Sequence, residues 1–207
     1  MRTRTDGAPA SAPDTTVGTR ERIVRTASRL MQRQGYDGAG IKQISREADA
    51  TLGSVYHFFP GGKQELAVEA IRHGDQEFAE FLTRMLASAD DPAEAIEACA
   101  HTLARDLSRS DWVDGCPVTT TALGTATRAP DIQHAAAEAF ARWRSLVEAK
   151  LREAGFTDAD ARDLAHTVIS TLEGAELAAQ VSRSETPLRL AGTHLARLIH
   201  VYRSATP

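Results

Sequence analysis

The chain is poor in cysteine: Cys99 and Cys116 are its only two among 207 residues. No CxxC pair or Cys/His cluster has zinc-like spacing, and two isolated thiols build no disulfide framework, which suits a reducing cytoplasm. Both read as small buried hydrophobes. His101, His134, His166, His194 and His200 form no local metal pattern. No metal or cofactor is therefore expected. Long apolar runs are missing too, and nothing approaches the ~20 residues needed to cross a membrane. The N-terminus has no apolar signal segment, which points away from secretion. Strand-like alternation is absent, and so is any internal repeat. No nucleophile stands in a Gly-rich elbow, and no acid or base is tied to one by a recognisable motif. Those absences argue against an enzyme.

What is present is helical periodicity and an uneven charge. The net charge of −4 hides a head of residues 1–63 at +4 and a body of residues 64–207 at −8. A small basic module on a larger acidic body suits a protein that touches nucleic acid with one end only.

Residues 1–18 are rich in Thr, Ala, Pro and Gly without apolar period, and read as a disordered tail. Arg2 and Arg4 in it are candidates to reach a minor groove, as some N-terminal arms do. From Thr19 onward, Ile23, Val24, Ala27, Leu30 and Met31 recur at helical spacing up to Gly35, which is placed to end that helix. Arg22, Arg25, Arg29 and Arg33 fall mostly on the other side and read as a solvated face. Pro60-Gly61-Gly62 breaks the chain before a long helix over about 63–87. Asp91-Pro92 opens a helix to about 107. Residues 108–118 are irregular, and a short helix covers about 118–127. Pro130 opens a helix closed at Gly155, Thr157 with Asp160 caps the next to about Val181, and Pro187 opens the last. The pattern predicts an all-α fold of about nine helices. Its domains are a head over 19–62 and a body over 63–207.

Residues 41–59 are the densest in meaning. They read as two short helices around a tight turn, the way a helix-turn-helix sets a recognition helix in a major groove. Thr51 stands where an N-cap belongs. Gly53, on the first turn, costs helix stability of ~1 kcal/mol against Ala, and close approach of backbone to DNA is a return for it. Val55 and Phe59 face inward together. Tyr56 and His57 face outward, where a hydroxyl and an imidazole can donate to phosphates. Lys63 opens the following helix, where a cation opposes the helix dipole unless an anion such as a phosphate binds there.

With those residues in place, Thr19 to Ile71 resembles the N-terminal domain of the tetracycline-repressor (TetR) family of bacterial transcription regulators. The matching pieces are Arg20-Glu21-Arg22-Ile23-Val24, Gly35-Tyr36, Ile44 with Ala48, Thr51-Leu52-Gly53-Ser54-Val55-Tyr56-His57-Phe58-Phe59, and Lys63 to Leu66. Gly115-Cys116-Pro117-Val118 resembles a signature of the LmrA/YxaF-type subgroup. Three positions depart from the family pattern: Ala39-Gly40 replaces a Thr/Ser cap, Asp49 replaces a turn glycine, and Leu52 replaces Lys or Pro. Asp tolerates the left-handed backbone such a turn needs. Leu52 can touch a thymine methyl but bonds no base.

The resemblance implies a homodimer paired through its last two helices, bound to palindromic double-stranded operator DNA and released by a small effector. Thr51, Leu52, Gly53, Ser54 and Tyr56 would face bases or nearby backbone, and Lys42, His57 and Lys63 would hold phosphates. It also implies an effector cavity in the body. Its assigned lining is Trp112, Thr119, Thr120 and Leu123, then Phe140 and Trp143, then Leu172, Glu173 and Glu176. Trp112 and Trp143 read equally as cavity wall or core. Glu173 and Glu176 sit on an apolar helix, and a buried carboxylate needs a partner. A cationic ligand, an intersubunit Arg, or plain exposure would each serve. Nothing in the body looks like a phosphate or sugar site, so the expected effector is apolar or amphipathic. Two alternatives stand beside this reading. One is a small α-helical hydrolase using Cys116 or Ser170, the other a dimeric interaction protein without DNA binding.

Overall fold

Ile23, Val24, Ala27, Leu30 and Met31 share one face of the first helix, α1 (Thr19–Gly38), and all five are buried. The computed structural model describes residues 17–205, so Arg2, Arg4 and most of the N-terminal tail lie outside the described residues. Gly35 has φ 69°, a left-handed backbone inside α1, so the helix breaks where its sequence marks an end and resumes for one more turn. Two seven-residue helices follow, α2 (Ile41–Glu47) and α3 (Leu52–Phe58). Between them Asp49 takes φ 47°, so the turn closes without glycine.

The body holds α4 (Gly62–Leu86), α5 (Pro92–Arg109), α6 (Pro117–Leu123), α7 (Pro130–Glu153), α8 (Asp158–Ser182) and α9 (Thr186–Ala205). Nine helices and no strand occur among the described residues, and no helix there is long and apolar enough to cross a membrane. The expected short helix to 127 stops at Leu123. The Thr125 hydroxyl turns back onto the Ala122 carbonyl at 3.0 Å and closes the chain into turns. Caps fall where the sequence places them. The Asp91 carboxylate accepts from Ala93 N at 2.9 Å, and the Thr157 hydroxyl accepts from Asp160 N at 3.1 Å.

One hydrophobic core runs from head to body. Helix α5 packs on α9, α7 on both α4 and α8, and α1 on α4 and α6. α4 joins the two parts: its first turn stands at the boundary between head and body, and its later turns lie against α7. Trp143 of α7 is fully buried, and its indole N–H donates to Asp75 Oδ1 of α4 at 2.9 Å. Burial raises the Asp75 carboxyl above its ordinary range, while nearby Arg142 opposes that rise.

Candidate nucleic-acid interface and effector cavity

The head is built around α3. The Thr51 hydroxyl accepts from Ser54 N at 3.0 Å and caps the helix. Val55 and Phe59 are fully buried on its inner side. That fixes the roll of α3 and turns Tyr56 (51% exposed) and His57 to solvent. Gly53 has open space where a side chain would stand, with only the Thr51 hydroxyl near. Thr51 and Gly53 are exposed, Leu52 and Ser54 half-buried. Lys42 is exposed on the first turn of α2. These seven positions therefore share one outward-facing module.

Lys63 is held differently from the expectation. Its Nζ lies 4.6 Å from the centroid of the Tyr36 ring and reaches the Asp37 carbonyl at 3.4 Å. Desolvation lowers its pKa, against a smaller opposing pull from Asp37. Arg128, from the turn after α6, stacks on the same ring at 5.7 Å and pairs with the Asp37 side chain. Two cations thus gather at the start of α4, where an anion would be well placed.

Arg22 is the head residue that sequence reasoning assigned wrongly. It reads as part of a solvated face, but its guanidinium donates to the carbonyls of Ala48 at 3.2 Å and Asp49 at 3.1 Å. It clamps the turn of the helix-turn-helix to α1. Arg29 ties α1 to Glu47 at the end of α2 at 3.1 Å. The turn carbonyls that Arg22 satisfies exist only once the chain folds back, so no local pattern marks them.

A cavity of about 370 Å³ lies between the head and the body. Its walls come from α1 (Ser28, Gln32), α4 (Phe78, Phe81), the segment before α6 (Gly115, Cys116) and α8 (Glu176). Of the nine lining residues expected from the sequence, Glu176 is in the wall. Trp143 and Leu172 are core. Phe140 packs its ring 5.0 Å from the Trp143 ring, outside the cavity. Leu123 is 67% exposed at the end of α6. Thr119 donates its hydroxyl to Glu173 Oε2 at 2.6 Å, one layer behind the wall. Thr120 is half-buried and does not line the cavity. Trp112 has φ 67° and is half-buried in the segment before α6. The aromatic wall is instead Phe78 and Phe81, ring centroids 5.8 Å apart. Phe78 belongs to the core stripe of α4 by period. Phe81, one turn on, was the available signal.

The segment from Ser110 to Cys116 is pinned on both sides. Arg33 of α1 grips the Asp114 carboxylate at 2.5 and 2.9 Å, and Gln32 donates to the Gly115 carbonyl at 2.6 Å. From the other side Gln180 of α8 donates to the Trp112 carbonyl at 3.3 Å and lies so close to Gly115 that no side chain fits there. Cys116 Sγ accepts from Thr119 N at 3.4 Å and caps α6. Burial first, then Glu173 and Glu176, raise its thiol well above the ordinary range. Such a thiol is a poor nucleophile. Ser170 is exposed on α8. No group of three or more His, Cys, Asp or Glu that could hold a metal occurs among the described residues.

A basic head presenting a capped, outward-facing second helix, on a helical body with a cavity at their junction, defines a helix-turn-helix transcription regulator. Residues 23–70 match the family described as bacterial regulatory proteins of the tetR family, and residues 92–194 match the C-terminal domain of LmrA/YxaF-like transcriptional regulators. The chain is 35% identical over 169 residues to the HTH-type transcriptional regulator LmrA of Bacillus subtilis, covering 82% of this chain and 90% of that one. It is 33% identical over 180 residues to the uncharacterized regulator YxaF of the same organism, covering 87% and 94%. Among solved structures it is similar to a TetR regulator from Chloroflexus aurantiacus, with a TM-score of 0.75 and 29% identity over 88% of this chain and 94% of that one. The fold is also that of a cysteine variant of the TetR-family regulator CifR, solved with a 26-bp double-strand operator DNA: TM-score 0.74, 19% identity, 92% and 98% covered. The chain belongs to the TetR family of transcription regulators, with an LmrA/YxaF-like C-terminal domain. Its relatives are regulators, not enzymes.

Proposed function

We propose that the protein is a ligand-responsive repressor acting in the cytoplasm. Two copies would set their α3 helices in successive major grooves of a palindromic operator, about 34–36 Å apart. Thr51, Leu52, Gly53, Ser54 and Tyr56 would approach bases or nearby backbone, with Lys42, His57 and Lys63 on phosphates. The observation that carries the ligand response is the cavity's shared wall. A molecule seated against α1 and α8 together touches the DNA-binding head and the body at once. It would shift operator affinity by its preference for one arrangement of the two over the other. The small cavity with two phenyl rings suits an apolar or amphipathic effector.

Dimerisation through α8 and α9 is supported by an apolar stripe. Leu177 and Val181 on α8 are 42% and 88% exposed, and Leu190 and Val201 on α9 are 54% and 64% exposed. Spacings of four along α8 and eleven along α9 put each pair on one face. An exposed apolar stripe of that kind marks a partner surface.

The test is selection of operators from random duplex DNA with the purified protein, followed by binding to the winner across a salt series. A palindromic winner bound by two chains, with affinity falling as salt rises, is the expected result. Enrichment of no sequence overturns the reading.

A further inference from the structure

The charged groups in the cavity wall are matched, with one exception. Arg25 pairs with Glu21 at 2.8 Å, and Arg29 with Glu47 at 3.1 Å. His73 faces Glu77 at 3.4 Å, and Asp114 is gripped by Arg33. Glu176 has no hydrogen bond or ion pair among the described residues, and it lines the cavity. Its side chain is half-buried in the wall between α8 and the segment before α6. Glu173, one turn earlier on α8, adds a second carboxyl behind it, held by Thr119 and Cys116.

A carboxyl in a largely desolvated wall without a partner is costly when charged. Here the cations of the wall are already engaged, so the one acceptor left without a partner is a carboxyl, which an arriving cation can ionise and pair with. Two phenyl rings line the same cavity, Phe78 and Phe81, and the face of such a ring is negative and attracts cations and not anions. At about 370 Å³ the cavity lies within the size range of small-molecule sites.

We propose that the effector is an aromatic organic cation, its positive nitrogen seated on Glu176 and its rings against Phe78 and Phe81. This rests on the ligand-responsive reading above and gives that effector its charge. In the empty cavity burial, then Glu173, raises the Glu176 carboxyl to about 8, so it holds a proton at neutral pH. The arriving cation replaces that proton, which leaves to solvent. Other titratable groups face Glu176: Glu173 on its own helix, Cys116 and Asp114 before α6, Arg25 and Arg29 on α1, and His73 and Glu77 on α4. The His73 imidazole titrates upward of its usual range through Glu77, so its proton must be separated from that of Glu176.

The test is calorimetric titration of the full chain, without DNA, with three probes of like size. They are N-methylacridinium, a fixed cation; acridine, uncharged at about pH 8; and 9-anthracenecarboxylate, an anion. The expected result is that the cation binds at least about tenfold tighter than the other two. Its affinity rises with pH up to about 8 and levels off, with about one proton released below that pH. In Glu176→Gln, which keeps side-chain shape, the preference and the proton release vanish. Equal or tighter binding of acridine or the anthracene acid overturns the proposal. So does a cation preference that survives Glu176→Gln, and so does failure of all three to bind. A separate screen of uncharged and anionic compounds for release of operator DNA distinguishes the two readings. A hit there keeps the ligand-responsive repressor while the cationic effector falls.

Discussion

Arg33 of α1 and Asp114 of the segment before α6 meet in a two-pronged ion pair, with distances of 2.5 and 2.9 Å. The pair crosses from the DNA-binding head to the wall of the cavity. The Asp114 hydrogen bond raises the Arg33 pKa. Both side chains are partly exposed, so the pair adds at most about 1 kcal/mol to stability. Its consequence is positional. Asp114→Asn is expected to leave the melting temperature within a few degrees and to speed amide hydrogen exchange across 110–116. Unchanged exchange there would show that Gln32 and Gln180 hold the segment alone.

At the DNA face, Thr51→Ala removes the cap of α3. The expected cost is about 1 kcal/mol of stability, with weaker operator binding. Tyr56→Phe keeps the ring and deletes the hydroxyl, so it is expected to lower operator affinity without moving the melting temperature. Thermal melts and operator titrations on the same preparations separate the two.

Lys63→Gln is expected to weaken binding about equally for all DNA sequences, and to reduce the slope of log affinity against log salt by about 1. Arg128→Gln, at the same Tyr36 ring, is the companion variant. A salt slope unmoved by Lys63→Gln would mean that its ammonium stays on Tyr36 and Asp37 in the complex.

Trp143→Phe tests whether this residue is core. The change strands the Asp75 carboxylate beside Arg142 and leaves a partial void. The expected loss is about 1–3 kcal/mol, read as a lower melting temperature. Binding of cavity ligands is expected to survive, because Trp143 stands outside the wall.

Glu176 also predicts a pH profile. Its carboxyl sits at about 8 in the folded chain and near its ordinary value of 4.5 when unfolded. A raised carboxyl gives stability that is complete below the unfolded value and is lost as pH rises toward the folded one. Glu176→Gln has no such loss. Its advantage in melting temperature over the parent is expected to grow between about pH 5 and 8, then hold level. A constant difference across that range would mean that Glu176 ionises freely.

On the exposed apolar stripe of α8 and α9, Val181→Asp sets a charge on the most exposed large apolar side chain of α8. Sedimentation is expected to show monomers, with operator affinity falling together with dimerisation.

Much of the head was legible in the sequence because its signals are local. A Thr at a cap, an Asp able to turn left-handed, and Val55 with Phe59 four apart each act within one or two turns. The cavity was not, because its wall is assembled from α1, α4, the segment before α6, and α8, which period alone cannot bring together. The same limit hid Arg22, whose partners are carbonyls 26 and 27 residues away. Trp143 shows the reverse error. A large aromatic reads as pocket or core alike until its neighbours are known, and Asp75 settles it. Glu176, which lines the cavity, stood out in the sequence because a carboxylate on an apolar face is anomalous wherever the chain goes.

Gly74 of α4 lies so near Pro117 that an added Cβ would stand 2.7 Å from the proline Cγ. The contact forbids α4 to come closer to α6 at that point. Lys63 lies eleven residues away, roughly 16 Å along the helix at 1.5 Å per residue. A tilt of about 5° there would carry the Lys63 end of α4 roughly 1.4 Å. Phe78 and Phe81 lie four and seven residues beyond Gly74 on the other side, about one and two turns. A helix turned about Gly74 would therefore move further at its Lys63 end than at Phe78 and Phe81, because eleven residues lie on one side of the contact and four to seven on the other.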